Sequence, residues 1–349
     1  ERKYDHALAS GTIAASGTLG ILIPPSIMLV IMADLLSRSV GNLFVAAVFP
    51  GLILATLYMA YIVIRCKLNP SLAPPISEAL GPQNRKGVVV MILRSFVPPV
   101  ILIGMVLGSI LGGVATPTEA AGVGALGAIL LGFFNLVILP SLGIKEFALE
   151  KTSDAPQSTN FAVSELSKKL FQFARTVSSV LDSTAQTNAM IFGLFVGATF
   201  FSYIFRALGG DDLVISTVET MGLGPWGLLF LLLGLVFVLG FFFDWIEITL
   251  IVLPVFAPII AQLDFGDHVA RIDVVYWFAV LIAINLQTSF LTPPFGFALF
   301  YLKAVAPPQV KIQQIYRGII PFVLLQLFGL ALVILFPEIA LWLPRVLLN

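Results

Sequence analysis

Two stretches of the chain place hydroxyl and glycine residues beside a pair of adjacent prolines, inside long apolar runs, and the second stretch adds the amides Asn285 and Gln287. The first pair is Pro24 and Pro25, and the second is Pro293 and Pro294. Proline lacks a backbone N–H and drives the residue before it out of the helical conformation, so neither run can continue as one smooth helix. In lipid, the carbonyls freed at such a break must face protein, water or an ion. Breaks of this kind are typical of substrate and cation sites in secondary transporters.

The candidate cation ligands are oxygen-bearing residues near these breaks and near an acidic segment between them. A hard cation such as Na⁺ prefers oxygen ligands, and a half-helix that ends before a break leaves free carbonyls beside the hydroxyls. The predicted Na⁺ ligands are Gly17, Thr18, Gly20, Asp244, Thr249, Asn285, Thr288 and Ser289. Na⁺ is the coupling ion in this interpretation, and no cofactor is expected.

The candidate substrate contacts lie at the start of the half-helix that follows each break. Its N-terminal dipole end points towards the break and favours an anionic group. The predicted contacts with a small anionic substrate are Ser26, Thr292, Pro293, Pro294 and Gly296. The alternative, a proline kink that serves only helix packing, stays open.

Two acidic residues, Asp244 and Glu247, lie deep in an apolar run. A carboxylate at the centre of a membrane costs about 3 kcal/mol even on a lenient insertion scale, which favours a role in cation handling. The alternative is that this segment reaches water and that both carboxylates are simply hydrated. An intramembrane enzyme with paired acids is a further alternative, but the sequence offers no second acidic motif in its support.

A helix start is predicted at Thr116, with Pro117 in the first helical position and Glu119 where a capping box requires a carboxylate. A functional role for Glu119 is the alternative, because acids are rare in membrane segments.

Composition places the chain among multi-pass, all-α membrane proteins. It has 349 residues, of which 58% are hydrophobic and 11% charged, and its mean hydropathy is +1.02. Lys and Arg equal Asp and Glu at 19 each, so net charge gives no reason to expect nucleic acid binding. The single Cys66 permits neither an intrachain disulfide nor a cysteine metal cluster. No phosphate-binding loop of the Walker type is present, which argues against ATP hydrolysis by this chain.

Apolar runs long enough to cross a bilayer lie near 12–32, 41–64, 88–111, 117–139, 185–208, 226–262, 274–306 and 318–344. The runs 12–32 and 274–306 contain the breaks. The run 226–262 is too long for one crossing and contains Asp244, so we predict a re-entrant hairpin with its tip near 243–249. Two complete spans are the alternative.

Basic residues orient this topology, because they are enriched on the cytoplasmic side. Four of the 19 lysines and arginines fall on the side predicted to be external: Arg38, Arg206, Arg271 and Arg345. The rest fall on the other side, which we place in the cytoplasm.

The two broken helices then run in opposite directions, which predicts an inverted repeat. Residues 1–65 form the remainder of the first repeat, 66–87 a cytoplasmic connector, and 88–349 the second repeat. Because only the last two elements of the first repeat are present and Glu1 is not Met, we expect a fragment or processed chain that lacks three helices and a hairpin. An amphipathic segment, 140–180, is expected in the cytoplasm, either against membrane lipid or against a partner subunit.

Four motifs in this order resemble the large membrane subunit of the tripartite ATP-independent periplasmic (TRAP) transporters of bacteria and archaea. They are Gly-Thr-Leu-Gly-Ile-Leu-Ile-Pro-Pro-Ser at 17–26, Thr-Pro-Thr-Glu-Ala-Ala at 116–121, the segment from Phe243-Asp244 to Leu253-Pro254, and Leu-Thr-Pro-Pro-Phe-Gly at 291–296. The resemblance covers essentially the whole chain.

This resemblance implies an elevator-type carrier in the cytoplasmic (inner) membrane that imports organic acids with a Na⁺ gradient. It also implies two partners, a small membrane subunit and a soluble periplasmic substrate-binding protein. The Pro-Pro breaks would flank the transport site, and the hairpin with Asp244 would be the outward re-entrant element. A stand-alone Na⁺/carboxylate symporter is the alternative function.

Overall fold

A computed structural model describes residues 4–74, 88–89, 92–93, 95–138, 162–293 and 296–347. These residues are helical and contain no β-strand. The helices are α1 (His6–Leu22), α2 (Ile27–Leu35), α3 (Val40–Leu68), α4 (Val97–Leu111), α5 (Pro117–Phe133), α6 (Ala162–Ala207), α7 (Gly210–Thr220), α8 (Pro225–Leu239), α9 (Trp245–Ile260), α10 (Val274–Leu291), α11 (Phe297–Val305), α12 (Ile312–Leu335) and α13 (Glu338–Leu347). A π-helical turn, Phe134–Ile138, extends α5.

The chain divides into two compact units. The larger unit comprises Glu1–Gly81 and Leu194–Asn349, and the smaller one Pro82–Gly193. The boundary between them falls within α6, so this helix contributes to both units.

Six segments of the described residues are helical, long and apolar enough to cross a membrane. They are His6–Leu35, which includes the first break, Val40–Leu68, Pro117–Ile138, Leu166–Ala207, Val274–Leu291 and Ile312–Leu335. The predicted class, an all-α multi-pass membrane protein with two broken helices, is confirmed.

Helix α10 forms the centre of the larger unit. Its sequence is apolar on every side, as expected for a helix that is buried all round, and nearly all of its side chains are buried. Helices α1, α3, α8 and α12 pack around it.

Two side chains donate hydrogen bonds to the C-terminal end of α12, where the last carbonyls have no donor within the helix. The indole nitrogen of Trp277 in α10 donates to the carbonyl of Val333 at 2.9 Å. His268 Nε2 donates to the next carbonyl, of Ile334, at 2.7 Å. These contacts fix the start of α10 against the end of α12.

Helices α1 and α12 cross at two glycines. A Cβ atom at Gly11 would overlap the carbonyl of Gly318, and a Cβ atom at Gly318 would overlap the carbonyl of Ala7. Only glycine lets the two backbones approach this closely, and the crossing joins the first broken helix to the helix that follows the second break.

Helix α6 differs from the sequence prediction. A separate amphipathic segment was expected before the span 185–208, but the described part of that segment continues into the span as one 46-residue helix. No glycine or proline interrupts residues 162–192, which explains the continuity. Residues 140–161 of the predicted segment, and residues 75–87 of the predicted connector, lie outside the described residues.

Candidate functional site

The first break separates α1 from α2 at Pro24 and Pro25. Ser26 is the N-cap of α2, where its hydroxyl oxygen accepts from the backbone N–H of Leu29 at 3.4 Å. The same hydroxyl donates to the carbonyl of Ile21, near the end of α1. Ser26 is buried, and its hydroxyl is hydrogen-bonded to the helices on both sides of the break. Its predicted contact with substrate stays a prediction.

The second break follows α10, which ends at Leu291. Thr292 turns the chain into extended backbone, and its hydroxyl donates to the carbonyl of Thr288 at 2.8 Å. Gly296 begins α11 with a left-handed φ of +44°, and a Cβ atom there would lie 3.2 Å from the carbonyl oxygen of Thr292. Glycine is therefore required here. Pro293 lies in the turn, and Pro294 lies outside the described residues.

The predicted hydroxyl ligands are buried, and each donates its proton to a carbonyl of its own helix. Thr288 donates to Ile284 at 2.8 Å and Ser289 to Leu286 at 2.9 Å. Thr18 in α1 and Thr249 in α9 form the same kind of bond, to Ala15 at 3.1 Å and to Trp245 at 2.6 Å respectively. Because the proton is directed at a carbonyl, the oxygen lone pairs of these hydroxyls are left to face a cation.

The hairpin α8–α9 contacts two of the predicted ligands, Asn285 and Ser289, which lie one turn apart on α10. Asn285 Nδ2 donates to the carbonyl of Leu233 in α8 at 2.7 Å. One turn after Asn285 in α10 lies Ser289, and a Cβ atom at Gly240 in the hairpin turn would overlap its hydroxyl. The turn of the hairpin therefore packs directly on the end of α10 that precedes the second break.

The turn itself lies earlier than the sequence predicted. The expected tip was 243–249, but Gly240 ends α8 and Asp244 is the N-cap of α9, so the turn occupies 240–244. Residues 245–249, including Thr249, form the first turns of α9 instead.

Asp244 and Glu247 form a capping box that the sequence analysis missed. Asp244 Oδ1 accepts from the N–H of Trp245 at 2.7 Å, and the N–H of Asp244 donates to Glu247 Oε2 at 3.1 Å. A polar N-cap followed three residues later by Glu is also the signal that predicts the box at Thr116 and Glu119. That predicted box is confirmed. Part of the cost of burying these two carboxylates is therefore offset by backbone N–H groups.

Gly17 and Gly20, which were also predicted as Na⁺ ligands, face away from the protein interior. Both lie on the exposed side of α1, and a Cβ atom at either position would meet nothing within 4 Å. Thr18, between them, is buried on the other side of the helix.

A cleft of about 670 Å³ opens between α6, α9 and the end of α2. Its polar lining comes from α6: Thr199, Ser202, Tyr203 and Arg206. Arg206 Nη2 donates to the carbonyl of Pro254 in α9 at 3.1 Å. That carbonyl has no helical donor, because the residue four positions later is Pro258.

Arg206 was predicted only as an external charge, and this cleft was not predicted from the sequence. The available signal was the Pro254 and Pro258 spacing, which leaves a carbonyl for another helix. The described residues predicted as ligands do not line the cleft. Among the described residues there is also no cluster of three or more His, Cys, Asp or Glu side chains that could hold a metal ion.

Comparison with known proteins gives a match along almost the whole chain. The family described as "Tripartite ATP-independent periplasmic transporter, DctM component" matches residues 1–339. A C4-dicarboxylate TRAP transporter large permease protein of Pseudomonas aeruginosa is 28% identical over 98% of this chain and 68% of its own length. A sialic acid TRAP transporter large permease protein of Vibrio cholerae is 29% identical over 100% of this chain and 70% of its own. An ectoine TRAP transporter large permease protein of Halomonas elongata is 28% identical over 97% and 68%.

Proposed function

The chain belongs to the family of DctM components of tripartite ATP-independent periplasmic transporters, and we propose that it imports a small organic acid by coupling uptake to the entry of Na⁺. It is a transport protein and not an enzyme, since the relatives are large permease subunits. The observation that carries the Na⁺ proposal is the contact between the hairpin turn and the second break, where Gly240 packs on Ser289.

The proposed Na⁺ site lies at this contact. Thr288 and Ser289 supply hydroxyl oxygens, and Asn285 supplies an amide oxygen. Asp244 supplies the negative charge that compensates a cation in a medium of low dielectric constant. Binding of Na⁺ would hold the hairpin against α10, so that the ion and the closed hairpin stabilise each other.

The proposed substrate is an anion with at least one carboxylate. Two of the relatives are named for C4-dicarboxylates and for sialic acid, which carry carboxylates. We propose that this carboxylate binds at the start of the half-helices that follow the two breaks, where the helix dipole favours an anion.

The contacts predicted at the two breaks remain part of the proposal. The N-terminal ends of α2 and α11 begin at Ser26 and Gly296. Their positive dipole ends would stabilise the carboxylate of the substrate. Thr292, Pro293 and Pro294 then shape the break and do not carry charge.

We further propose that the chain works in the cytoplasmic membrane with a small membrane subunit and a periplasmic binding protein. The predicted external loops are short, near 34–41, 112–116, 209–225 and 264–273. None could form a capturing domain, which needs on the order of 100 residues. These loops therefore cannot supply high-affinity capture, which supports a separate binding protein.

The test is uptake of labelled C4-dicarboxylate or sialic acid into proteoliposomes that contain the complete membrane complex. Uptake is expected only when the purified binding protein is added. The control is proteoliposomes without the membrane complex, which should take up no substrate with or without the binding protein. Equal, saturable uptake without the binding protein would support the stand-alone symporter instead.

A further inference from the structure

Three polar side chains from three helices meet in the interior of the larger unit. They are Tyr58 in α3, Gln287 in α10 and Gln326 in α12, and all are at most 3% exposed. Gln287 Nε2 donates to the Tyr58 hydroxyl at 3.5 Å, a long hydrogen bond. Gln326 lies beside the same hydroxyl. The ring of Phe322, one turn before Gln326, lies edge-on to Tyr58 at 5.2 Å between ring centroids and holds α3 against α12.

Three buried atoms of this group have no hydrogen-bond partner in the protein. They are the carbonyl oxygen of Gln287 and both polar atoms of the Gln326 amide. Buried amides are almost always hydrogen-bonded, because an unpaired one loses its water without compensation. These atoms therefore need a hydrogen-bond partner other than the three side chains themselves.

The chemistry of the unpaired atoms indicates which kind of molecule can satisfy them. Two oxygens need a hydrogen-bond donor, and one nitrogen needs an acceptor. A cation would satisfy the oxygens but would leave the Gln326 NH₂ group facing a positive charge. Flipping an amide exchanges its oxygen and nitrogen, yet Gln326 still presents one donor group and one acceptor. Water both donates and accepts, and a buried water typically makes about three hydrogen bonds.

We propose that Tyr58, Gln287 and Gln326 form a buried hydration site that holds ordered water between α3, α10 and α12. Helix α3 follows the first break and α12 follows the second, while α10 leads into the second. The water therefore links α10 to the next long helix after each break. Hydrogen bonds to water can re-form after small shifts of these helices, which direct side-chain contacts would resist.

The experiment is X-ray hydroxyl-radical footprinting of the intact membrane complex, read by mass spectrometry. Radicals generated from bound water label neighbouring side chains even where bulk solvent cannot reach. Tyr58 is expected to be labelled clearly above Trp277, a control that is 0% exposed and whose N–H is already bonded to Val333. Labelling of Tyr58 no higher than that of Trp277 overturns the proposal.

Two further measurements test whether water or a cation occupies the site. Gln326→Leu should abolish the labelling of Tyr58, whereas Gln313→Leu, on the exposed side of the same helix, should leave it unchanged. Gln287→Leu serves the same purpose if Gln326→Leu does not fold. The labelling should be equal in Na⁺ and in choline. A loss of labelling in Na⁺ means that a cation displaces the water and contradicts the proposal.

Discussion

Replacing Asp244 by asparagine separates the two roles that this residue has at the hairpin turn. As the N-cap of α9 it accepts a backbone hydrogen bond through Oδ1, and as a proposed Na⁺ ligand it contributes a negative charge. Asparagine caps a helix about as well as aspartate but is neutral. Asp244→Asn is therefore expected to leave folding nearly unchanged and to weaken the response of uptake to Na⁺.

The magnitudes follow from these two roles. Asp244→Ala removes the cap as well and should cost about 1 kcal/mol of stability, which Asp244→Asn should not. Loss of the charge next to the cation is expected to raise the Na⁺ concentration for half-maximal uptake about tenfold, which corresponds to about 1.4 kcal/mol of binding free energy.

The assay is initial uptake in proteoliposomes at a series of external Na⁺ concentrations, together with thermal unfolding of the purified complex. Asp5→Asn is the matched control, since Asp5 caps α1 through a bond of 2.8 Å to the N–H of Leu8. It should alter neither quantity. Unchanged Na⁺ activation in a well-folded Asp244→Asn variant would refute the charge argument and leave Asp244 as a cap alone.

Three further substitutions test the contacts around the site. Gly240→Ala should push the hairpin turn off Ser289 and lower uptake strongly, while Gly234→Ala, which meets nothing within 4 Å, should be tolerated; equal activity of the two variants would disprove the packing argument. Gly318→Ala should destabilise the complex by about 1–3 kcal/mol, because the new Cβ overlaps backbone and forces α1 and α12 apart, and an unchanged unfolding temperature would contradict this. In a variant without the native cysteine, a cysteine at Asp267 should react with a membrane-impermeant thiol reagent in intact cells and one at Ser71 should not; the reverse pattern would overturn the predicted orientation.

Local chemistry made part of this fold predictable. The prolines at 24–25 and 293–294 interrupt their helices in any context, so both breaks are evident from the sequence. Thr116 and Glu119 form their capping box within four residues, and this too is a local signal. The same rule applied to Asp244 and Glu247 would have placed the hairpin turn correctly.

The rest depends on contacts between residues far apart in the chain. The close approach of Gly11 to Gly318 could not be inferred from either glycine alone. The bond of Arg206 to Pro254 likewise joins two helices, although the carbonyl freed by Pro258 was visible in advance. Sequence alone also gave no reason to join Gln287 to Tyr58, because they are 229 positions apart in the chain.

Accumulation of substrate against its own gradient tests the central claim most directly. Proteoliposomes with the complete membrane complex and the binding protein would be prepared with substrate at equal concentration on both sides. An inward Na⁺ gradient is predicted to raise the internal concentration above the external one, and a Na⁺ ionophore should abolish the difference. Equal concentrations throughout, or the same accumulation when K⁺ replaces Na⁺, would contradict Na⁺-coupled transport.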